Sequence, residues 1–574
     1  MDLVLRNARL IDGSGRPSTT GDLGILNGRI AAMGKMDERA KEEIDVRGAV
    51  VAPGFIDVHT HYDAQAFWDP LLTPSIYHGV TSVIAGNCGF TLAPLSGDPE
   101  DTDYLIRMLS RVEGMPLAAL RQAVKPDWRS FGEFLGKLDG KLALNTAFMV
   151  GHSALRRTAM GARAVSEAAT ADDLEKMKVL LRHSLAEGGM GFSTTVSATH
   201  SDYEGKPVPS RWADRDEILA LCRVVNEFPG TWLEMVFGVP VFSEREYSLA
   251  TDMSLAAGRA LNWNLLTISG ASTVETDSQL QAGDYAKARG ARVYALVTAG
   301  VPKAILSFMS GFLMDTIPGW MDVIILPPKQ RIAALADPQV RAKLRQGLDE
   351  APPKSIGQRL RNPEPYQIEG VNLPKNMRWV GKTVGEYAAF AGKPAFDALL
   401  DLAVEEELRM SFSINVPENR TDTAWQRRVA AWRDDRCIIG GSDAGAHLDM
   451  LDTFAFSTQF IGGGVRERQL LPLEEAVHRI TGLPAERFGL TGRGRLEVGA
   501  CADIVVFDPD KIGCGPVAMR PDLPAGESRL YADAYGVSDV IVNGVPVVRN
   551  GEATGKLGGR VLRSGRDTQT VPLS

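Results

Sequence analysis

Two histidines one residue apart, His59-Thr60-His61, end the apolar run 49–58. On a strand, residues i and i+2 share a face. Both imidazoles can then aim at one point, which is what two ligands of a single metal ion must do. A second apolar segment, Ile438-Ile439-Gly440-Gly441, leads into Ser442-Asp443-Ala444-Gly445-Ala446-His447. A carboxylate at the mouth of such a strand can bind a borderline cation and accept a proton from water activated there. Asp443 alone could equally form a turn or cap a helix; set beside the His-x-His pair it reads as chemistry. The reaction class these residues describe is metal-assisted hydrolysis.

Bringing residues 59 and 443 together across the chain requires a particular architecture. Parallel strands must cross over, so helix and strand patterns should alternate. Helices are predicted over 172–187, with Thr170 and Asp173 as a capping box and Gly188-Gly189 as the stop, over 214–227 and over 276–288. Strand patterns come after each of them, at 190–194, 232–237 and 292–297. A closed (β/α) barrel over 53–489 fits this α/β alternation and the length better than an open sheet, and barrels set their active sites at strand ends. Both termini are β-rich, with Asn27-Gly28 and Asn543-Gly544 as hairpin turns. One small β-domain split between 1–52 and 490–574 is therefore expected. Between about 300 and 435 the rhythm fails: 329–349 looks helical, while Pro352-Pro353 and Pro363-Glu364-Pro365 interrupt the chain beyond it. An insertion of this length reads as a lid together with a helical subdomain, the alternative being a subdomain that only packs.

Composition narrows the function classes. The 574 residues are 44% hydrophobic and 23% charged, an ordinary globular balance. Net charge is 63 − 71 = −8 with no dense basic run, so no nucleic-acid partner is expected. No stretch nears the roughly 18 apolar residues of a membrane span. Five cysteines, at 88, 222, 437, 501 and 514, form no CxxC pair, and the amino terminus lacks a signal-peptide core. Both point to a reducing, cytoplasmic setting. There is no GxGxxG, phosphate loop or GxSxG elbow to support a competing chemistry.

The set PGFIDVHTH, AGNCGF, GHSALR, GFST and GGSDAGAH, in that order and spacing, resembles the amidohydrolase superfamily, and within it the D-aminoacylase-like branch of N-acyl-D-amino-acid deacylases. The resemblance spans nearly the whole chain. It implies a TIM-like (β/α)8 barrel with a small terminal β-sandwich, one or two divalent ions, usually zinc, and hydrolysis of a C–N bond in a small N-acyl amino acid or amide. His59 and His61 match first-strand ligands, Cys88 the branch's cysteine ligand, and Asp443 the last-strand ligand and general base. Where the branch has histidines on its fifth and sixth strands, this chain has Thr231-Trp232-Leu233-Glu234-Met235 and Leu266-Thr267-Ile268-Ser269-Gly270. One metal is therefore expected rather than two, on His59, His61 and Asp443, with Cys88 or Glu234 as additions.

The remaining candidates have open alternatives. His152 could polarise a carbonyl, contact a ligand, or be structural. His447 could touch substrate or cap a helix, and His200 could line the pocket or sit on a solvated loop. Arg156, Arg157 and Arg211 could hold a substrate carboxylate or make surface ion pairs. Other functional readings are hydrolysis of a cyclic amide or dipeptide on the same site, and a degenerate relative that binds without turnover. The sequence is compatible with a homo-oligomer.

Overall fold

The computed structural model describes residues 1–311, 313–352, 355–414 and 416–573; the Pro353 breaker lies outside them. Eight parallel strands hold the centre: β1 (Phe55–Asp57), β2 (Val80–Ala85), β3 (Asn145–Phe148, resumed at Val150–Gly151), β4 (Gly191–Thr195), β5 (Trp232–Val236), β6 (Leu261–Asn264), β7 (Val293–Val297) and β8 (Cys437–Ile439). Each pairs with its neighbour in sequence order. The ladders form two sheets, because the pairing pauses at Met149 and again between β8 and β1. At the second break a parallel bridge, Thr60 to Ala444, joins the two strand ends. The Asp443 amide also donates to the His59 carbonyl at 3.2 Å, so the two motif loops lie side by side.

Strands buried on both faces read as continuous apolar runs. In β2, Val80-Thr81-Ser82-Val83-Ile84-Ala85 is buried throughout. The helices between strands begin where their caps dictate. Thr170 and Asp173 form a reciprocal capping box at the start of Ala171–Ala186, and Asp214 caps Arg215–Val225. The sixth strand lies five residues earlier than its pattern suggests, at Leu261–Asn264 rather than 266–270. Its inward positions Asn262 and Asn264 are polar, which hides the strand from a hydrophobicity reading.

The chain's two ends share one connected nine-stranded sheet. Its centre is the antiparallel pair of Val50–Pro53 with Ile504–Phe507. Only Gly54 separates that sheet from β1, and a Cβ there would lie 2.1 Å from Thr81, so the Pro-Gly of the first motif packs against β2. The insertion has its own core, including Phe308, Trp320, Leu344, Phe396 and Phe412. Short helices surround a three-stranded antiparallel sheet of Ile305–Ser307, Ser411–Ser413 and Gln367–Gly370. It rests on helix Pro99–Val112, where Arg111 donates to the Ser310 carbonyl and pairs with Asp315. Among the described residues, no helix is long and apolar enough to cross a membrane.

Candidate metal centre

Four donor atoms converge at the carboxyl ends of β1, β2 and β8. Cys88 Sγ lies 3.6 Å from His59 Nε2 and 3.9 Å from His61 Nε2. Asp443 Oδ1 lies 3.2 Å from His59 Nε2 and 3.7 Å from His61 Nε2. Ligands at zinc distances, about 2.0 Å for N or O and 2.3 Å for S, sit about 3.3–3.8 Å apart on a tetrahedron. His59, His61 and Cys88 offer donor atoms that all lie within 4.8 Å of one another, so these three fit one ion, and Asp443 reaches both imidazoles. The imidazoles and thiol are buried, while the Asp443 side chain keeps 22% of its surface open towards the mouth.

Every loop that carries a donor is pinned from beneath. Cys88 has a left-handed backbone, φ 58°, between Gly86 and Gly89, which also have positive φ. That conformation is costly outside glycine and persists only where surroundings impose it. Here the Gly86 amide donates to Asp63 and the Cys88 amide to Glu234 Oε2 at 2.7 Å; Asn87 donates to the Thr60 and Ile84 carbonyls. The Ser193 hydroxyl donates to the Gly86 carbonyl and accepts the Gly89 amide. The GFST segment is thus a row of supports: Ser193 holds the Cys88 loop, Thr194 meets His152 at 2.9 Å and Thr195 meets His200 at 2.8 Å. Asp443 is also left-handed, φ 51°. Its neighbour Ser442 donates to Asp57, whose carboxyl is pushed up to about 7 by burial.

The electrostatics call for a cation. Burial drives Glu234 up to about 7, and burial with neighbouring carboxylates drives Glu113 and the Cys88 thiol well above their ordinary values. Burial would also raise Asp443, but the His59 and His61 imidazoles outweigh it and hold that carboxyl far below its usual range. Burial lowers His61 to about 4, which keeps the ring in the neutral form that ligates metals. Three carboxyls and a thiol share this small volume, with no lysine or arginine among the described residues paired to them, and a divalent ion would compensate their charge.

The sequence candidates divide. His59, His61 and Cys88 come together as one donor set, Asp443 meets the two imidazoles, and Glu234 stands one step away, its Oε1 buried without a hydrogen-bond partner. His152 does not join them: one ring nitrogen meets Thr194 and the other Glu217 at 2.8 Å, inside a buried network with Arg156. Both ring nitrogens are engaged within this network. Arg157 is likewise committed, to Asp101 at 2.6 Å and over the Tyr104 ring, rather than to a substrate. His200 is buried, not solvated, with its ring edge-on to Phe90 at 5.1 Å. His447 caps no helix; its left-handed backbone, φ 47°, donates its amide to the Glu113 carbonyl.

Two residues escaped the sequence reading. Glu113, at the end of helix Pro99–Val112, sets Oε1 3.1 Å from His61 Nδ1, an ion-pair separation whose angle falls short of a hydrogen bond. Asn264, the last residue of β6, places its amide nitrogen 3.5 Å from His59 Nε2 and 3.6 Å from Cys88 Sγ. No motif marks Glu113. Asn264 was legible only as the inward half of an Asn-Trp-Asn alternation.

Comparison with known proteins agrees with this geometry. A sequence profile of the amidohydrolase family matches residues 42–548. The chain is 30% identical to D-aminoacylase of Alcaligenes xylosoxydans xylosoxydans over 569 residues, 98% of this chain and 97% of that protein. It is similar in structure to N-acyl-D-glutamate deacylase of Bordetella bronchiseptica, solved with zinc and a phosphonate mimic of the tetrahedral intermediate. That match has a TM-score of 0.67 at 25% identity and covers 98% and 100% of the two chains. A D-aminoacylase structure described through its binuclear metal centre, with one-metal activation and second-metal attenuation, matches at TM-score 0.65 and 25% identity, covering 98% and 99%. This chain belongs to the amidohydrolase family.

Proposed function

We propose that this amidohydrolase is a metal-dependent deacylase cleaving the amide bond of small N-acyl amino acids of D configuration, with a single divalent ion held by His59, His61, Cys88 and Asp443. The observation that carries the reading is the gathering of the His59, His61 and Cys88 donor atoms within 4.8 Å of one another, with Asp443 against both imidazoles. Its relatives include a D-aminoacylase and a zinc-bound N-acyl-D-glutamate deacylase. Two imidazoles, a thiolate and a carboxylate are a zinc donor set. The architecture we infer around it is one eight-stranded barrel with a terminal domain split between 1–52 and 490–574.

Bound there, a divalent ion supplies Lewis acidity to a carbonyl oxygen and to water. Asp443 accepts the proton of the attacking water as its oxygen bonds to the amide carbon, then delivers that proton to the amine nitrogen as the C–N bond breaks. The products are a carboxylate and a free amino acid. Its part-exposed side chain suits this duty, because a proton carrier must face the substrate. Glu234 anchors the Cys88 loop through the Cys88 amide rather than reacting.

The test is hydrolysis of matched N-acyl-D- and N-acyl-L-amino acids by metal-replete protein, with Asp443→Asn alongside. Release of amino acid from the D series, falling roughly 100- to 10,000-fold in the variant, is expected. No release from any member, or near-normal turnover by Asp443→Asn, overturns the reading.

A further inference from the structure

Asn264, the last residue of β6, touches the metal centre but takes no part in the hydrolysis. The barrel strands fix where its backbone stands. Val236 of β5 is its Cα partner, and two residues further on the Leu266 amide donates to the Leu296 carbonyl of β7. Between them, Leu265 sets a methyl group 3.0 Å from where a Cβ on Gly441 would lie, beside the segment that leads to Asp443.

The side chain is held by none of these strands. Its carboxamide nitrogen lies 3.6 Å from Cys88 Sγ, a hydrogen bond to sulfur, and 3.5 Å from His59 Nε2. The Oδ1 atom is buried with no hydrogen-bond partner. An unpaired buried amide oxygen is costly, and a leucine would fill a similar volume without that cost. What the asparagine adds is its N–H end, and the sulfur is the neighbour that can use it. A ligating imidazole spends its one Nε2 lone pair on the ion, whereas a thiolate keeps further lone pairs for a donor. Glu234, Glu113 and Asp443 all act on that sulfur with negative charge. Apart from the two imidazoles, Asn264 is the donor side chain that reaches it among the described residues.

We propose that Asn264 is a positioning residue for the metal centre: its carboxamide N–H donates to the Cys88 sulfur, fixing the direction of that ligand and stabilising the electrons it offers the ion. This rests on the single-ion centre proposed above and extends it from the donors to a group that tunes one of them. Hydrogen bonds from outside the coordination shell orient a ligand and tune its metal. The competing role is a filler of the space beside β5 and β7, which would leave the electrons of the sulfur untouched.

Cobalt separates the two, because cobalt bound to a thiolate absorbs light by transfer of a sulfur electron to the metal. A donor N–H stabilises that electron and raises the energy of the band. Cobalt-loaded wild type should show the band, and Asn264→Leu should move it to longer wavelength; Asn264→Ala serves if the leucine variant does not fold. Chelator competition should show divalent-ion retention falling about 10- to 100-fold in the variant. In a Cys88→Ser background the same substitution should change retention about twofold or less, because the sulfur it acts through is gone. A band that does not move, or an equal loss of retention with and without Cys88, overturns the role and leaves the one-ion centre standing. Absence of the band from wild type overturns the role together with Cys88 ligation. A band that shifts as expected in a protein that hydrolyses no N-acyl amino acid supports the role and sinks only the deacylase reading.

Discussion

At the scale of single residues, the proposed donors were legible and the residues that support them were not. His59, His61 and Asp443 come after apolar runs, so their position could be inferred from strand ends. Cys88 needed the surrounding AGNCGF motif, because a lone buried cysteine is ordinarily a small hydrophobe. Glu113 left no trace, since a glutamate before Gly114 at a helix end is what any surface helix shows. Its importance comes from a contact between residues 52 positions apart, the difference of 113 and 61. Glu113 also holds the His447 backbone through its carbonyl, so one residue touches two loops of the site. Outer carboxylates of this kind orient metal-binding histidines. Glu113→Ala should therefore weaken divalent-ion retention by about 10- to 100-fold. Competition with a chromophoric chelator reads this directly, and unchanged retention would reduce Glu113 to a packing residue.

At the scale of elements, the amphipathic helices and their caps were predictable because local chemistry fixes them, as Thr170 and Asp173 illustrate. The sixth strand was misplaced because tertiary context puts Asn262 and Asn264 on its inner face. The insertion's sheet was invisible because its three short strands come from distant segments. His152 shows how an element-level role can mimic a catalytic one. With Arg156 and Glu217 it ties helix His152–Met160 to helix Arg215–Val225, beside β4. Burial alone would raise the Glu217 carboxyl, but His152 and Arg156 lower it below its ordinary value. A depressed carboxyl stabilises the fold above its unfolded pKa and loses that contribution as pH falls through the folded pKa. Glu217→Gln, which strands Arg156, should cost about 3 kcal/mol near neutral pH. Urea unfolding should show the gap between wild type and variant narrowing as acid protonates Glu217; a gap independent of pH would contradict the ion-pair account.

At the scale of the whole molecule, the two β-rich termini meet across the full length of the chain. The terminal strands settle into a single sheet whose central pair, Val50–Pro53 with Ile504–Phe507, hands the chain straight to β1 and the first histidines. The far end of the sequence returns to the parallel strands too: the Thr146 amide donates to the Arg560 carbonyl and the Leu562 amide to the Thr146 carbonyl, each at 2.9 Å. The insertion, docked through Arg111, stands on the helix that ends beside Glu113. All of this converges on His59, His61 and Cys88 with Asp443 beside the imidazoles, and the central claim is that they hold one ion. Metal analysis of protein purified without chelator tests it most directly, because ion binding is read per chain whatever the substrate. About one divalent ion per chain is predicted, falling towards zero in His59→Ala and His61→Ala. Less than about 0.2 ion per chain, with none taken up from zinc, cobalt or manganese, would contradict the account.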